Sequence, residues 1–343
     1  MNMSSTTLKK IRKYGLKCAL CAALEKAGGR APKRKRSELY IQKYYLRLPA
    51  EKREEELESW FQAETGKTLN LHSPQTFNEK IQWLKLYDST PEKTRLADKY
   101  QVREWVRETI GEEYLIPLLG VWDSFEEIDF AKLPERFVLK CVHGSGMNAV
   151  IRDKSAVSMK ELRRQFHYWQ QSSYGIGPMQ EWHYRDIPHR IIAEQYMENV
   201  DGDLYDYKFY CFGGEPKYIQ VIQGRGGDSQ MGFYTLDWQD AGFGHHHFGQ
   251  MKHKPAKPAQ LSKAIELARK LAQGFAFVRV DLYLLGDEQI YFGEMTFTPA
   301  SGIRHWEPET ADRMLGELMA LPAPTPFDRK ENREKGKSGS EKA

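Results

Sequence analysis

VRVDLYLLGDEQIYFGEMTFTPASG, residues 278–302, is the stretch on which the fold turns. Two β-rich segments each carry one acid, Asp281 and Glu294, among residues that otherwise read as buried. A carboxylate in such a place needs a partner or a cation. On neighbouring strands the two acids form a hard oxygen site of the kind that holds Mg2+ against phosphates. Arg279 precedes Asp281 by two residues and so shares its strand face. A structural Arg–Asp pair is the competing explanation.

Working outward, FVLKCVHGSG (137–146) places Lys140 on a β-rich segment ahead of the turn Gly144-Ser145-Gly146. Glycines let backbone N–H groups approach phosphate oxygens, and the strand lysine adds positive charge. The order GxxxxGK[ST] is absent, so this is no Walker A loop; a plain β-hairpin is the simpler alternative. IIAEQYM (191–197) ends in Glu194, Gln195, Tyr196 and Met197, which can offer backbone groups and an apolar floor to a purine. In DLYDYKFYCFGG (203–214), Asp206 and Lys208 lie on one strand face, suited to a ribose hydroxyl and a phosphate, or to a bland exposed pair.

Around these segments the periodicity predicts one or two surface helices over 37–68, a helix opening at Thr76, and another over 94–110. Strands are expected at 137–142, 149–152, 190–196, 206–212, 216–223, 275–284 and 289–295, with helices at 159–171 and 261–273. No internal repeat is present.

The order of these elements resembles the ATP-grasp superfamily: strand lysine, glycine turn, helix, acid-x-aromatic strand end, Asp-x-Lys, Arg-x-Asp, and a last strand with glutamate. TFNEKIQWLKLYD (76–88), ADKYQVR (97–103), EWHYRDIPHRIIAEQYM (181–197), DYKFYCFGG (206–214) and FGEMTFTPASG (292–302) look like the TupA-like, teichuronopeptide-biosynthesis type of that superfamily. The likeness covers about residues 40–315.

The resemblance implies an α/β ATP-grasp fold of α+β subdomains behind an N-terminal helical region. The divisions expected are a basic segment 1–36, a helical region 37–136, a lid subdomain 137–200, a Mg-binding subdomain 201–327 and a charged tail 328–343. It also implies that Lys99 and Lys140, with the Gly144–Gly146 turn, hold α and β phosphates. Glu194, Gln195, Tyr196 and Met197 would contact adenine, Asp206 the ribose and Lys208 the γ-phosphate. Asp281 and Glu294 would carry Mg2+, with Thr296 where the family pattern has asparagine, a hydroxyl that binds Mg2+ less strongly than a carbonyl oxygen.

The implied chemistry is carboxylate–amine ligation. ATP phosphorylates a carboxylate, an amine attacks the acyl phosphate, and Lys208, Arg225 and Arg279 stabilise the developing charge. The implied substrates are an acidic sugar or polysaccharide and an amine or amino acid, in bacterial surface polysaccharide biosynthesis. A glycosyltransferase, an ATP-dependent kinase and an inactive glycan-binding module remain as alternatives.

At 343 residues with 29% charged and 12% aromatic residues, the composition is that of an ordinary globular chain, and a net charge of +4 does not argue for nucleic acid. The basic excess sits at the two ends, as a solvated face and a disordered tail or as attraction to an anionic membrane. The apolar run 18–24 is too short to span a bilayer. A cytoplasmic protein, peripheral to the inner membrane face through its basic N-terminus, is expected.

Cys18 and Cys21 form a lone CxxC, weak evidence for a metal, and reduced thiols are the default. His245, His246, His247 and His253 read as a solvated loop, because neighbouring residues on a strand point to opposite faces. Asp201-Gly202-Asp203 reads as a turn. Tyr168, Trp169, Trp182, His183 and Tyr184 suit a sugar groove or a packed core equally.

Overall fold

The computed structural model describes residues 13, 36–198, 204–224, 229–245, 249–251 and 254–325. The expectations for the basic segment apart from its last residue and Lys13, for Cys18 and Cys21, for residues 201–203, for Arg225, for His246, His247 and His253, and for the tail lie outside them.

Two sheets form the frame. In the smaller one the strands run β1 (Leu118–Trp122), β4 (Ile191–Gln195), β2 (Phe137–Cys141), β3 (Asn148–Ile151), all antiparallel. Of these β1 was not read from the sequence. The larger sheet runs β11 (Gln289–Thr296), β10 (Phe277–Leu285), β5 (Asp206–Phe212), β6 (Glu215–Gln223), β7 (Gln230–Thr235), β9 (Gly249–Gln250). A two-residue β8 (Gly244–His245) pairs with β12 (Trp306–Glu307). This is the mixed helix and sheet architecture that the motif order implies.

Each face of the larger sheet has its own partner, because strand side chains alternate. From β5 and β10, Tyr207, Phe209, Cys211, Val278, Val280 and Leu282 join one core with α7 (Leu261–Ala272). The opposite face starts aromatic and turns ionic. Tyr210, Phe212 and Phe277 meet Phe77, whose ring centroid lies 5.0 Å from that of Phe277. Further along the same strands stand Lys208, Asp206, Arg279 and Asp281, all buried. One face therefore supplies both a packed core and a charged floor.

The N-terminal helices cover the aromatic end. α1 (Arg36–Tyr45) and α2 (Arg53–Thr65) bury Tyr45, Leu57 and Phe61 in that core, so they are not merely surface helices. α3 (Phe77–Tyr87) starts at a capping box: the Thr76 hydroxyl accepts from the Glu79 amide and the Glu79 carboxylate from the Thr76 amide. Such caps are worth about 1 kcal/mol. The single helix expected over 94–110 is two, α4 (Pro91–Ala97) and α5 (Val102–Thr109). Asp98 divides them by accepting the amides of Tyr100 and Gln101 on Oδ1, a local side-chain bond that competes with the helix ladder. The break brings Lys99 toward the glycine turn, where its Nζ donates to the Gly144 carbonyl at 2.5 Å.

A third, smaller core lies under the four-stranded sheet, with Phe166 of α6 (Met159–Gln171) and Phe137 inside it. α8 (Thr310–Glu317) closes the fold against α3. No helix among the described residues is long and apolar enough to cross a membrane.

Candidate functional site

Two adjoining cavities open where the sheets meet. The larger, about 900 Å3, is lined by Lys99, Lys140, Ser145, Gly146, Asp206, Lys208, Arg279, Asp281, Glu294 and Thr296, among others. The smaller, about 460 Å3, is lined by Lys140, Glu194, Gln195, Tyr196, Met197 and Asp206 with Ile116, Val138 and Val150. Lys140, Asn148, Asp206 and Tyr283 border both. Segments up to some two hundred residues apart thus meet in one space, with an apolar chamber beside an ionic one.

The glycine turn follows from the local sequence. Gly146 takes φ +70°, a left-handed conformation that side chains resist, whereas Gly144 is required by packing: a Cβ there would lie 2.8 Å from the Tyr174 ring. Behind the turn, Lys140 on β2 reaches Glu194 on β4 at 2.5 Å, and Arg103 reaches the other oxygen of Glu194 at 3.2 Å. The Glu194 side chain is therefore taken by cations, while its strand end lines the apolar chamber.

On the larger sheet, Asp281 stands directly opposite Glu294 in the β10–β11 register and opposite Lys208 in the β10–β5 register. Arg279 donates to both Asp281 oxygens at 2.6 and 2.7 Å, to Glu294 at 2.9 Å and to Thr296 at 3.0 Å. Lys208 pairs with Asp281 and lies 3.5 Å from Asp206. The Asp206–Lys208 pair is buried, not exposed.

Burial raises the Asp281 carboxyl, and Arg279 and Lys208 pull against it. For Glu294 burial also acts upward, but Lys99, Arg279 and Lys208 outweigh it and hold the group far below the usual carboxylate range. Burial lowers Lys99, with Glu294 opposing. Arg279 is held protonated by Asp281 and Glu294 against its own burial.

The donor set fits Mg2+. Glu294 is ionised and keeps a third of its side chain exposed. Among the described residues no group of three or more His, Cys, Asp or Glu side chains forms a metal cage. Two carboxylates and the Thr296 hydroxyl suit an ion that retains waters and takes its remaining ligands from phosphates. Asp281 would have to exchange a bond to Arg279 for the ion.

Several residues were not singled out from sequence. On α3, Gln82 donates to the carbonyls of Ser301 and Gly302 at 3.0 and 2.7 Å, and Lys85 to that of Ser301 at 2.6 Å. Asn78 bonds the Arg304 carbonyl at 2.8 Å and accepts from its amide at 3.1 Å. These side chains hold a loop in which Ala300, Ser301 and Gly302 have φ of 48°, 56° and 66°. Glu181 accepts from Thr298 beneath it. The spacing 78, 82, 85 is one helix face, the signal that could have found them.

Other expectations change. His245 is no solvated loop: it is buried on β8, 3.1 Å from Gln220, and lines the larger cavity because Trp306 and Phe233 pack around it. Trp182 and His183 are buried, Trp182 under the Arg53 guanidinium at 4.4 Å, whereas Tyr184 reaches the cavity. Cys141 and Cys211 are buried free thiols.

The family described as TupA-like ATP-grasp matches residues 79–320. No curated protein matches the chain. Among solved structures it is similar to N5-carboxyaminoimidazole synthetase from Staphylococcus aureus complexed with ADP, at 13% identity, 67% of this chain, 53% of that chain and TM-score 0.33. Similar too are D-alanine-D-alanine ligase from Coxiella burnetii, at 12%, 72%, 61% and 0.34, and L-amino acid ligase from Bacillus licheniformis, at 14%, 61%, 42% and 0.34. The chain spans about half the length of the first of these.

Proposed function

Because the chain belongs to the TupA-like ATP-grasp family, we propose that it is an ADP-forming carboxylate–amine ligase acting in bacterial surface polysaccharide biosynthesis or modification. The observation that carries this reading is the meeting of Lys99, Lys140, Lys208 and Arg279 with Glu294 in a cavity continuous with an apolar chamber. Four cations in one enclosure suit a polyphosphate, and the chamber suits a purine.

In this reading Met197 and Val138 flank adenine, the strand end 194–197 offers backbone groups to its edge, and Asp206 takes the ribose. Lys140, Lys99 and the Gly144–Gly146 turn hold phosphate oxygens. The lid 137–200 and the subdomain 201–327 enclose the nucleotide. Glu294, Asp281 and Thr296 would hold Mg2+, which when bound neutralises phosphate charge. Lys208 and Arg279, and Arg225 with them, stabilise the γ-phosphoryl group as it moves.

A carboxylate oxygen of the donor attacks the γ-phosphorus while the bond to ADP breaks. The amine then attacks the acyl carbon, the C–O bond to phosphate breaks, and the amine loses a proton to solvent. An acidic sugar or polysaccharide as donor and an amino acid or other amine as acceptor are the proposed substrates, and the cytoplasmic face of the membrane the proposed place.

The test is hydroxylamine trapping with Mg-ATP and a panel of hexuronic acids. Expected are a hydroxamate with ADP and phosphate as products, and none without Mg2+. Activity on a UDP-sugar without ATP would overturn the ligase reading, and a stable phosphorylated product without hydroxamate would make the protein a kinase.

A further inference from the structure

The larger cavity holds a further cation besides Lys99, Lys140, Lys208 and Arg279. Arg304 lines it, two residues beyond the left-handed segment 300–302. Its backbone is fixed on both sides by Asn78, but among the described residues its guanidinium makes no hydrogen bond or ion pair, and its Nε is buried without a partner.

The carboxylates of the same cavity are otherwise engaged. Asp281 and Glu294 bond Arg279, Asp206 lies beside Lys208, and Glu181 accepts from Thr298. Burial lowers the Arg304 guanidinium; Tyr210 opposes that shift, and Arg279 adds to it. Half-buried, with its Nε shut away from solvent, this arginine lacks the anion that would offset its desolvation. The four other cations of the cavity each have an oxygen partner within the protein.

We infer that Arg304 is the anchor of a substrate carboxylate, in a subsite separate from the phosphate-binding cations. The inference rests on the ligase reading and adds to it a residue that selects anionic substrates. A planar guanidinium takes a carboxylate through two parallel bonds, and the pinned loop holds that fork in place before the ligand arrives. The carboxylate has two sources in this chemistry: the acyl donor, or an amino acid acting as acceptor.

The experiment uses the full chain and the variants Arg304→Gln and Arg304→Lys. First, each protein saturated with Mg-AMPPNP is titrated calorimetrically with D-glucuronate, D-glucose, L-glutamate and L-glutamine. Arg304→Gln should lower affinity for at least one of the two acids by roughly 10- to 100-fold relative to its neutral counterpart. Arg304→Lys should fall between, and AMPPNP affinity should stay within about twofold. Wild-type protein that prefers neither acid, or a preference that survives Arg304→Gln, overturns the inference.

Hydroxylamine separates the sources, since it carries no carboxylate. A fall in hydroxamate yield in Arg304→Gln assigns the residue to the donor. An unchanged hydroxamate yield with lost coupling to L-glutamate assigns it to the acceptor. Failure of wild-type protein to bind AMPPNP would instead count against the ligase reading itself.

Discussion

The large cavity has two walls made of different things. On one, charge stands on strands: Lys140 on β2, Lys208 on β5, Arg279 and Asp281 on β10, Glu294 on β11. Lys140 pairs with Glu194 in the smaller sheet, while the other four are paired among themselves on the larger one, at the level where its aromatic face ends. On the other, α3 directs Asn78, Gln82 and Lys85 at backbone carbonyls of the segment 301–304, and it is that segment which lines the space. The first wall supplies groups that a ligand can recruit by exchange. The second shapes a loop whose left-handed Ala300 and Ser301 each cost about 1 kcal/mol or more. Charge on the strands should therefore matter to turnover, and charge under the loop to stability.

The largest effect is expected on the strand wall. Glu294→Gln should lose roughly 10²- to 10³-fold in ATP turnover while its urea midpoint stays close to wild type, because the group is partly exposed and serves charge rather than packing. A variant that unfolds at much lower urea would move Glu294 to the structural side of the comparison.

Lys85→Met should do the reverse. The Lys85 ammonium is fully buried near Glu181, and burial brings it down to about 7 against the pull of that carboxylate. Removing the ammonium takes a buried donor from Gln82 Oε1 and from the Ser301 carbonyl and leaves Glu181 without its neighbouring cation, so a loss of about 3 kcal/mol in unfolding free energy is expected. The double variant Lys85→Met with Glu181→Gln should recover part of it. If the single variant kept its stability, the second wall would not be a pinned loop. Gly302→Ala tests the same wall more gently: its Cβ would sit 2.6 Å from Gln82 Nε2 and from an Ile81 methyl group, at φ +66°. Overpacking of this kind costs about 2 kcal/mol, and the urea midpoint measures it.

The two walls were not equally legible in sequence. Arg279-x-Asp281 and Glu294 stood out because buried strands rarely carry charge, and period-two spacing put them on one face without any knowledge of the fold. The fold class followed from the same segments and their order. Asn78, Gln82 and Lys85 lay inside a quoted segment, yet among Glu79 and Lys80 they read as an ordinary polar face. Only the tertiary contact with residues 301–304 turns that face inward. Asp98 was missed for a related reason: whether an acid extends a helix or caps its successor depends on where its side chain bonds, which periodicity does not report. Short pairings such as β8–β12 depend on partners about sixty residues away and carry no local pattern.

The smallest expected effect concerns acid stability and applies the comparison to two histidines. His143 belongs to the glycine turn, stacked on His189 at 3.9 Å, and burial with His189 brings it down to about 4. His183 lies under the loop wall, where burial, Lys93 and Lys85 bring it down to about 3. Both folded values lie below the ordinary 6.5, so the unfolded chain binds more protons once pH falls below that value. Stability contributed by each neutral ring is present above about pH 6.5 and is lost as pH falls toward the folded values. Between about pH 7.5 and 5.5 the loss should be about 1 kcal/mol per histidine. Asp312 acts in the opposite direction over part of this window, because burial raises it to about 6 and its protonation favours the folded state. Variants isolate the histidine contributions from that background. His183→Phe should flatten the dependence of the urea midpoint on pH with little cost at neutral pH, since its Nε2 has no partner to lose. His143→Phe should flatten it equally but start from lower stability, because its Nε2 gives up a 3.0 Å contact with the Trp169 carbonyl. Slopes that match wild type in both variants would mean that neither ring stays neutral on folding.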